Sequence, residues 1–379
     1  MMIRYCLWKG IVIITVMTII TLIGCGKQQK KSPLKIGVVI PLTGQWAPYG
    51  EQMRQGIDLA AENVNRAGGI DGTPVRVIYE DGEAKPAKSM QAFNKLINVD
   101  KVPAVISGFS TVILTLAAQA NDNKVVLLNC GATSPQIAKA GPYVFTDIPN
   151  ANYEASYLAE YLYKKLGYRK AAVFWQNNDA GIGMRNVFSK RFTELGGQIV
   201  GTLSHEQGQT NFRSLLSQLK KLNAQVVFIP TYSKEMGLIL RQWKEMGLKA
   251  KVVGYAATEV KDLLDVAGNA AEGILYSYYA YDANSGKPKV KEFVVNFKAK
   301  YGKGPGLYSA TFYDGAMLLF DAFKKGARTG PEIRDFLLSV KNYSGVSGTL
   351  TFDGKTSVVT PLQIKTVRHG KFVKYEPNR

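Results

Sequence analysis

The run LKIGVVIPLTGQWAPYGEQMRQGIDLAAENVNRAGGIDG, residues 34–72, carries the reading of the fold. Residues 34–42 are apolar and β-branched, the composition of a strand covered on both faces. Residues 43–50 turn the chain, with Gly44, Pro48 and Gly50 as breakers. Residues 51–67 place Met53, Ile57, Ala60, Ala61 and Val64 on one helical stripe, and Gly68-Gly69 ends the helix. Asp71-Gly72-Thr73-Pro74 then turns into a second strand, 75–79.

The same cycle continues outward. Helices are expected at 88–98 and 110–121, with strands at 104–108 and 125–130. After Pro142 a second series follows. Its helices are 153–166, 183–195, 212–222 and 235–246, and its strands are 170–175, 198–203, 226–230 and 251–255. Late in the chain come helices 309–325 and 332–340, a hairpin pairing 349–352 with 357–359, and a last strand at 363–367. Buried strands separated by helices make parallel sheets with helices on both faces, and two series make two doubly wound lobes. In such sheets a ligand sits beyond the carboxyl ends of the strands. Those ends are 41–49, 108–111, 130–135, 231–232 and 255–258, which brings together Trp46, Tyr49, Phe109, Ser110, Thr111, Gly131, Ala132, Thr133, Tyr232, Tyr255 and Ala256.

The chain has 379 residues, 46% of them hydrophobic and 20% charged, which suits two globular domains and excludes collagen, coiled coil and wholesale disorder. Its formal charge of +19 is scattered over helix faces, whereas nucleic-acid binding calls for a clustered stripe, so no nucleic-acid partner is expected. Near the N-terminus, Arg4 and Lys9 precede an apolar run, 11–23, broken by Thr15, Thr18 and Thr21. That run is shorter than the roughly 20 residues a bilayer needs, and it leads into Leu22-Ile23-Gly24-Cys25. The pattern resembles the bacterial lipoprotein box, with a plain signal peptide or short anchor as the alternative. It implies a signal peptide at 1–24, lipidation of Cys25, a polar tether at 25–33, and an exported protein held to a membrane of the cell envelope.

Catalytic signatures fail. HExxH, the G-x-S-x-G elbow and the Walker loop are missing, and Gly108-Phe109-Ser110-Thr111-Val112 lacks the closing glycine of an elbow. Gly181-Ile182-Gly183 is a truncated dinucleotide signature, which leaves a Rossmann oxidoreductase without its complete glycine motif. His205 and His369 are far apart, there is no CxxC, and Cys130 reads as a small strand-end apolar residue. No enzyme activity, metal or cofactor is expected. Ser110-Thr111 after one strand and Gly131-Ala132-Thr133-Ser134 after the next instead read as hydroxyl caps with free backbone N–H groups, together suited to a carboxylate.

Residues 34–72, the run from Gly108 to the GATSP at 131–135, YSKEMGLILRQWKEMGLK at 232–249 and AGNAAEG at 267–273 resemble the type I periplasmic binding proteins of the branched-chain amino-acid class. The resemblance implies an α/β fold of two doubly wound parallel-sheet lobes joined by a three-crossing hinge. Its lobes would be 34–147 with 278–343, and 148–277 with 344–379. It implies a monomeric solute-binding protein that delivers a small carboxylate-bearing solute to the permease subunits of an ABC importer. A sensor lipoprotein presenting the solute to a signalling partner is the alternative. By the same resemblance, Ser110 and Thr133 hold the ligand carboxylate, Gly131 offers a carbonyl to an amine, Tyr232 closes from the second lobe and Tyr49 lines the first. Amino-acid binders of this class carry an acid where this chain has Ala256. Glu259, three residues on, and Asp147, on a hinge-side loop, are the candidate substitutes but match the pattern at neither position, and the loss shifts the expected ligand toward an acid without an amine.

Overall fold

The structure is a computed structural model that describes residues 32–279, 281–352 and 354–377. The signal segment and Cys25 lie outside the described residues. Among the described residues no helix is long and apolar enough to cross a membrane, and no group of three or more His, Cys, Asp or Glu is placed to hold a metal ion.

The first series forms β1 (Leu34–Ile40), α1 (Ala47–Arg66), β2 (Val75–Asp81), α2 (Pro86–Asn98), β3 (Ala104–Ser107), α3 (Ser110–Asp122), β4 (Val126–Asn129) and β5 (Val144–Thr146). Its sheet is parallel, in the order β2-β1-β3-β4-β5. Helix α1 begins earlier than its periodicity suggested, because Pro48 sits in the first turn, where a missing N–H costs nothing. The expected stripe is on the inner face: Met53, Ile57 and Ala60 are buried, and Ala61 and Val64 pack partly buried against the core.

The second series forms α4 (Ala151–Glu160), β6 (Lys170–Gln176), α5 (Asp179–Glu194), β7 (Gln198–His205), α6 (Arg213–Lys221), β8 (Val226–Phe228), α7 (Ser233–Glu245), β9 (Lys251–Gly254), α8 (Lys261–Ala267) and β10 (Leu275–Tyr279). The chain then returns to the first lobe with α9 (Pro288–Tyr301), α10 (Leu307–Lys324) and α11 (Gly330–Ser339). Helix α10 is buried along nearly its whole length, wedged against α1. The short strands β11 (Tyr343–Ser344) and β12 (Thr349–Leu350) follow, then β13 (Leu362–Arg368) and β14 (Lys371–Lys374). The second sheet runs β14-β13-β10-β9-β8-β6-β7. Its five central strands are parallel, and β13 and β14 add an antiparallel edge.

Two late expectations change. Strand β12 pairs with β11, not with 357–359. Residues 344–352 and 354–358, expected with the second lobe, are held by the first: the Thr146 N–H donates to the Thr356 carbonyl (2.8 Å), the Val358 N–H donates to the Thr146 carbonyl (3.2 Å), and Phe352 packs edge-on against Phe145. The free edge of the short β5 supplies the backbone partners that a local hairpin would otherwise have supplied. The chain crosses between sheets three times: after β5, after β10 and before β13.

Candidate functional site

Each parallel sheet reverses direction of growth once, between β1 and β3 in the first and between β6 and β8 in the second. Ligand crevices form at such points, because the two flanking loops leave on opposite faces of the sheet. Here the crevices of the two sheets face each other. Trp46 after β1, Phe109, Ser110 and Thr111 after β3, Asn178 and Ala180 after β6, and Tyr232 after β8 line one cavity of about 20 Å³. That is room for about one water. Two larger depressions, of about 410 and 490 Å³, lie along the β10–β13–β14 edge and between Gln52 and Lys371. Neither receives the strand ends of both sheets, so the site is placed at the facing crevices.

Aromatic side chains close the contact between lobes. The Trp46 and Tyr232 rings meet edge-on at 4.6 Å, Tyr49 and Phe109 stand 5.5–6.2 Å from these two, and Tyr308 stands 5.4 Å from Tyr49. The Tyr49 hydroxyl accepts from the Ser233 N–H (2.9 Å) and donates to the Ala257 carbonyl (3.0 Å), with Ser233 Oγ also at 2.9 Å. Burial pushes the Tyr49 phenol far above its ordinary value, so it stays a neutral donor across the physiological range. Phe109 holds φ +66°, a conformation that strains a side-chain-bearing residue and tends to cluster at ligand clamps. The strain aims its ring into the cluster and leaves Ser110 to open the helix.

The hydroxyl pole differs in detail from the expectation. Phe109, not Ser110, is the N-cap of α3, and Ser110 occupies the first helical turn. Its Oγ accepts from the Ser134 N–H at 3.0 Å, which leaves its own proton free to donate. Asn129 takes two of the amides expected to bind an anion: its Oδ1 accepts from Gly131 N (3.1 Å) and Ala132 N (2.7 Å), and its Nδ2 donates to the Ala132 carbonyl (2.8 Å). Asn129 therefore shapes the loop that presents Thr133, whose carbonyl accepts from Ala151 N (2.7 Å) at the start of α4. The Tyr308 and Phe312 rings lie against Gly131, so close that a Cβ there would come within 3.4 Å of Tyr308 and 3.2 Å of Phe312. Cys130 is a free, fully buried thiol whose pKa burial pushes well up, which makes it inert as a nucleophile.

Ala256 is buried, and its N–H donates to a carboxylate the sequence reading did not single out. Glu154, on the first turn of α4, accepts at Oε1 from Ala256 N (2.9 Å) and from the Ser277 hydroxyl (2.8 Å). Its Oε2 is buried without a partner. Burial, partly offset by those two hydrogen bonds, pushes its pKa up to about 7. Helix α4 follows β5 just as α3 follows β3, so the strand-end rule would have pointed to it had the short β5 been recognised. Of the two acids weighed from sequence, Glu259 is paired elsewhere and Asp147 keeps both oxygens buried without a hydrogen-bond partner. Glu259 pairs with Lys365 at 2.5 Å and accepts from the Tyr276 hydroxyl at 2.6 Å. Asp147 lies beside Cys130 and Asp314, against Gly315 of α10.

Comparisons with known proteins agree with this fold. The family described as periplasmic binding protein matches residues 33–370. The leucine-, isoleucine-, valine-, threonine- and alanine-binding protein of Pseudomonas aeruginosa is 27% identical over 325 residues, 85% of this chain and 86% of that protein. The branched-chain amino-acid transporter substrate-binding protein LivJ of Streptococcus pneumoniae, solved with isoleucine, is 26% identical with a TM-score of 0.84, covering 90% of this chain and 98% of the other. A solute-binding protein of an ABC transporter from Rhodopseudomonas palustris, solved with 3,4-dihydroxybenzoic acid, is 26% identical with a TM-score of 0.80, covering 90% and 95%.

Proposed function

The chain belongs to the periplasmic binding protein family; on that premise, we propose that its two lobes close on a small solute held by its carboxylate at Ser110 and Thr133. It is a solute-binding protein of the ABC-transporter type and not an enzyme. The family places it among exported, periplasmic proteins. The observation that carries the ligand reading is the Ser110 hydroxyl. It opens α3 at the first sheet's crevice, its lone pair is occupied by Ser134 N–H, and its proton is free for an acceptor. A helix N-terminus adds unpaired donors and a favourable dipole for a negative group. Two of the named relatives bind isoleucine and related amino acids, and the third was solved with a benzoic acid. A carboxylate is the group these solutes share.

The solute enters when the lobes part and the cross-lobe contacts of Tyr49, Trp46 and Tyr232 open. It favours the closed state because both lobes reach it only there. The site residues test the reading. Ser110→Ala and Thr133→Ala are each expected to weaken carboxylate binding by about 1–3 kcal/mol without unfolding the protein. Calorimetric titration with the bound acid checks this, and wild-type-like affinity in both variants would remove the assignment. Delivery to permease subunits and a lipid on Cys25 belong to the same proposal. Fatty-acid labelling is expected to disappear in Cys25→Ser, with the protein moving from the membrane to the soluble fraction. Unchanged membrane retention in that variant would rule the anchor out.

A further inference from the structure

We propose that Glu154 is the ammonium-binding residue of the cleft and that the solute is therefore an α-amino acid; this rests on the reading that Ser110 and Thr133 hold the carboxylate. Three observations carry it. Glu154 is 0% exposed, and two donors on different elements fix one of its oxygens while the other has no partner. A buried carboxylate oxygen left unpaired is costly, and a cation compensates it best.

Position is the second observation. The carboxylate and ammonium of an α-amino acid are joined through a single carbon, so their binding groups must be neighbours. The helix turn that carries Glu154 is the one whose Ala151 N–H binds the Thr133 carbonyl. On its other side, Glu154 receives the backbone of Ala256. The acid thus reaches Ala256 by way of α4 and not from the β9 loop itself.

The third observation is the company it keeps. Burial first, and then neighbouring groups that include Glu154, push the phenols of Tyr255, Tyr279 and Tyr308 well up. These three neutral hydroxyl-bearing rings, from the β9 loop, β10 and α10, are the titratable groups that face it. None supplies a positive charge. Glu235 also keeps a buried oxygen without a partner, but it is held by Gly208 N–H (3.1 Å) at the start of α7, beside Tyr232. Asp147 keeps both oxygens without a partner, but it sits against Cys130 and a second acid, Asp314.

The test pairs each proteinogenic L-α-amino acid with its amine-free acid, for example L-leucine with 4-methylpentanoate and L-phenylalanine with 3-phenylpropanoate. Calorimetry is run on the unaltered protein and on Glu154→Gln, with Glu235→Gln and Asp147→Asn as controls. At least one amino acid is expected to outbind its amine-free partner. Glu154→Gln is expected to remove about 10- to 100-fold of that preference while leaving the amine-free acid unchanged, and the controls are expected to keep it. The unaltered protein provides a readout independent of any variant. Pairing with an ammonium requires the ionised carboxylate, so amino-acid affinity should rise about 100-fold from pH 5 to pH 8 and should flatten in Glu154→Gln.

A panel in which no amino acid outbinds its amine-free partner overturns the inference, whether both bind or neither does. So does affinity that falls with rising pH, which would mark Glu154 as a neutral donor to an anion. Ser110→Ala separates the two failures. If it weakens both members of each pair while Glu154→Gln changes neither, the carboxylate reading stands and only the ammonium assignment falls. If Ser110→Ala also changes nothing, both fall.

Discussion

Gly56→Ala is expected to lower the thermal midpoint by about 6–12 °C. Gly56 faces α10 in the middle of α1, and a Cβ built there would stand 2.1 Å from the Ser309 carbonyl oxygen and 2.9 Å from its carbon. The obstacle is backbone, so no rotamer change relieves it, and the two helices must separate. Overpacking of this kind costs about 3 kcal/mol at the upper end of its usual range. In a lobe of this size each kcal/mol moves the midpoint by about 2–4 °C. Helix α1 starts at the Trp46 cap and carries Tyr49, and α10 carries Tyr308 in its first turn, so the separation also displaces one wall of the cleft. Gly286→Ala is the matched control, since a Cβ there meets nothing within 4 Å. Melting curves of the three proteins decide the matter, and equal midpoints would mean that the α1–α10 contact yields without cost.

The second large effect is one of pH. His205 ends β7, only 2% exposed, with the rings of Phe174 and Phe212 at 5.1 and 5.2 Å. Its Nδ1 lies 3.0 Å from the Glu206 carbonyl, which can only accept, so Nδ1 carries the proton and the buried Nε2 has no partner. Burial, partly offset by that hydrogen bond and the Glu206 charge, lowers its pKa from 6.5 to about 4. Between those two values the unfolded chain takes up a proton that the folded one does not. The His205 contribution is therefore present above pH 6.5 and lost as pH falls through 4. The loss amounts to about 3 kcal/mol. Glu154 acts in the opposite sense: its raised pKa favours the fold below pH 4.5, and that advantage is lost as pH rises through 7. The two overlap in the whole protein, so the measurement is a difference. Urea unfolding of wild type and His205→Asn from pH 7 to pH 4 is expected to show the wild type losing about 3 kcal/mol relative to the variant. Parallel profiles would mean that the imidazole is hydrated in the folded state.

Much of the architecture could be read before any coordinates, because its signals are local. The apolar run before Pro41, the stripe through Met53 and Ile57, and the Gly68-Gly69 stop each act within a few residues, and they recur often enough to define two sheets. Helix α9 carried the same kind of signal, with Pro288 at its start, Val290, Phe293, Val294 and Phe297 buried, and Gly302 left-handed at its end. Of the residues named from the strand-end rule, Trp46, Phe109, Ser110, Thr111 and Tyr232 line one cavity.

Long-range pairing could not be read that way. Whether Ser110 caps its helix or receives the Ser134 amide depends on how β3 and β4 sit side by side. Whether 357–359 folds onto 349–352 or onto Thr146 depends on a free sheet edge some two hundred residues earlier in the chain. The acid near Ala256 shows the same limit. In the sequence Glu259 is three residues away and Glu154 is a hundred, yet Lys365 engages the first and Ala256 N–H engages the second. Periodicity and turn chemistry are properties of neighbouring residues, so they write the elements and their order into the chain. Which carboxylate meets Ala256 N–H and keeps an oxygen unpaired is a sum over every donor that packing brings within hydrogen-bond reach, and that sum exists only once the lobes are assembled.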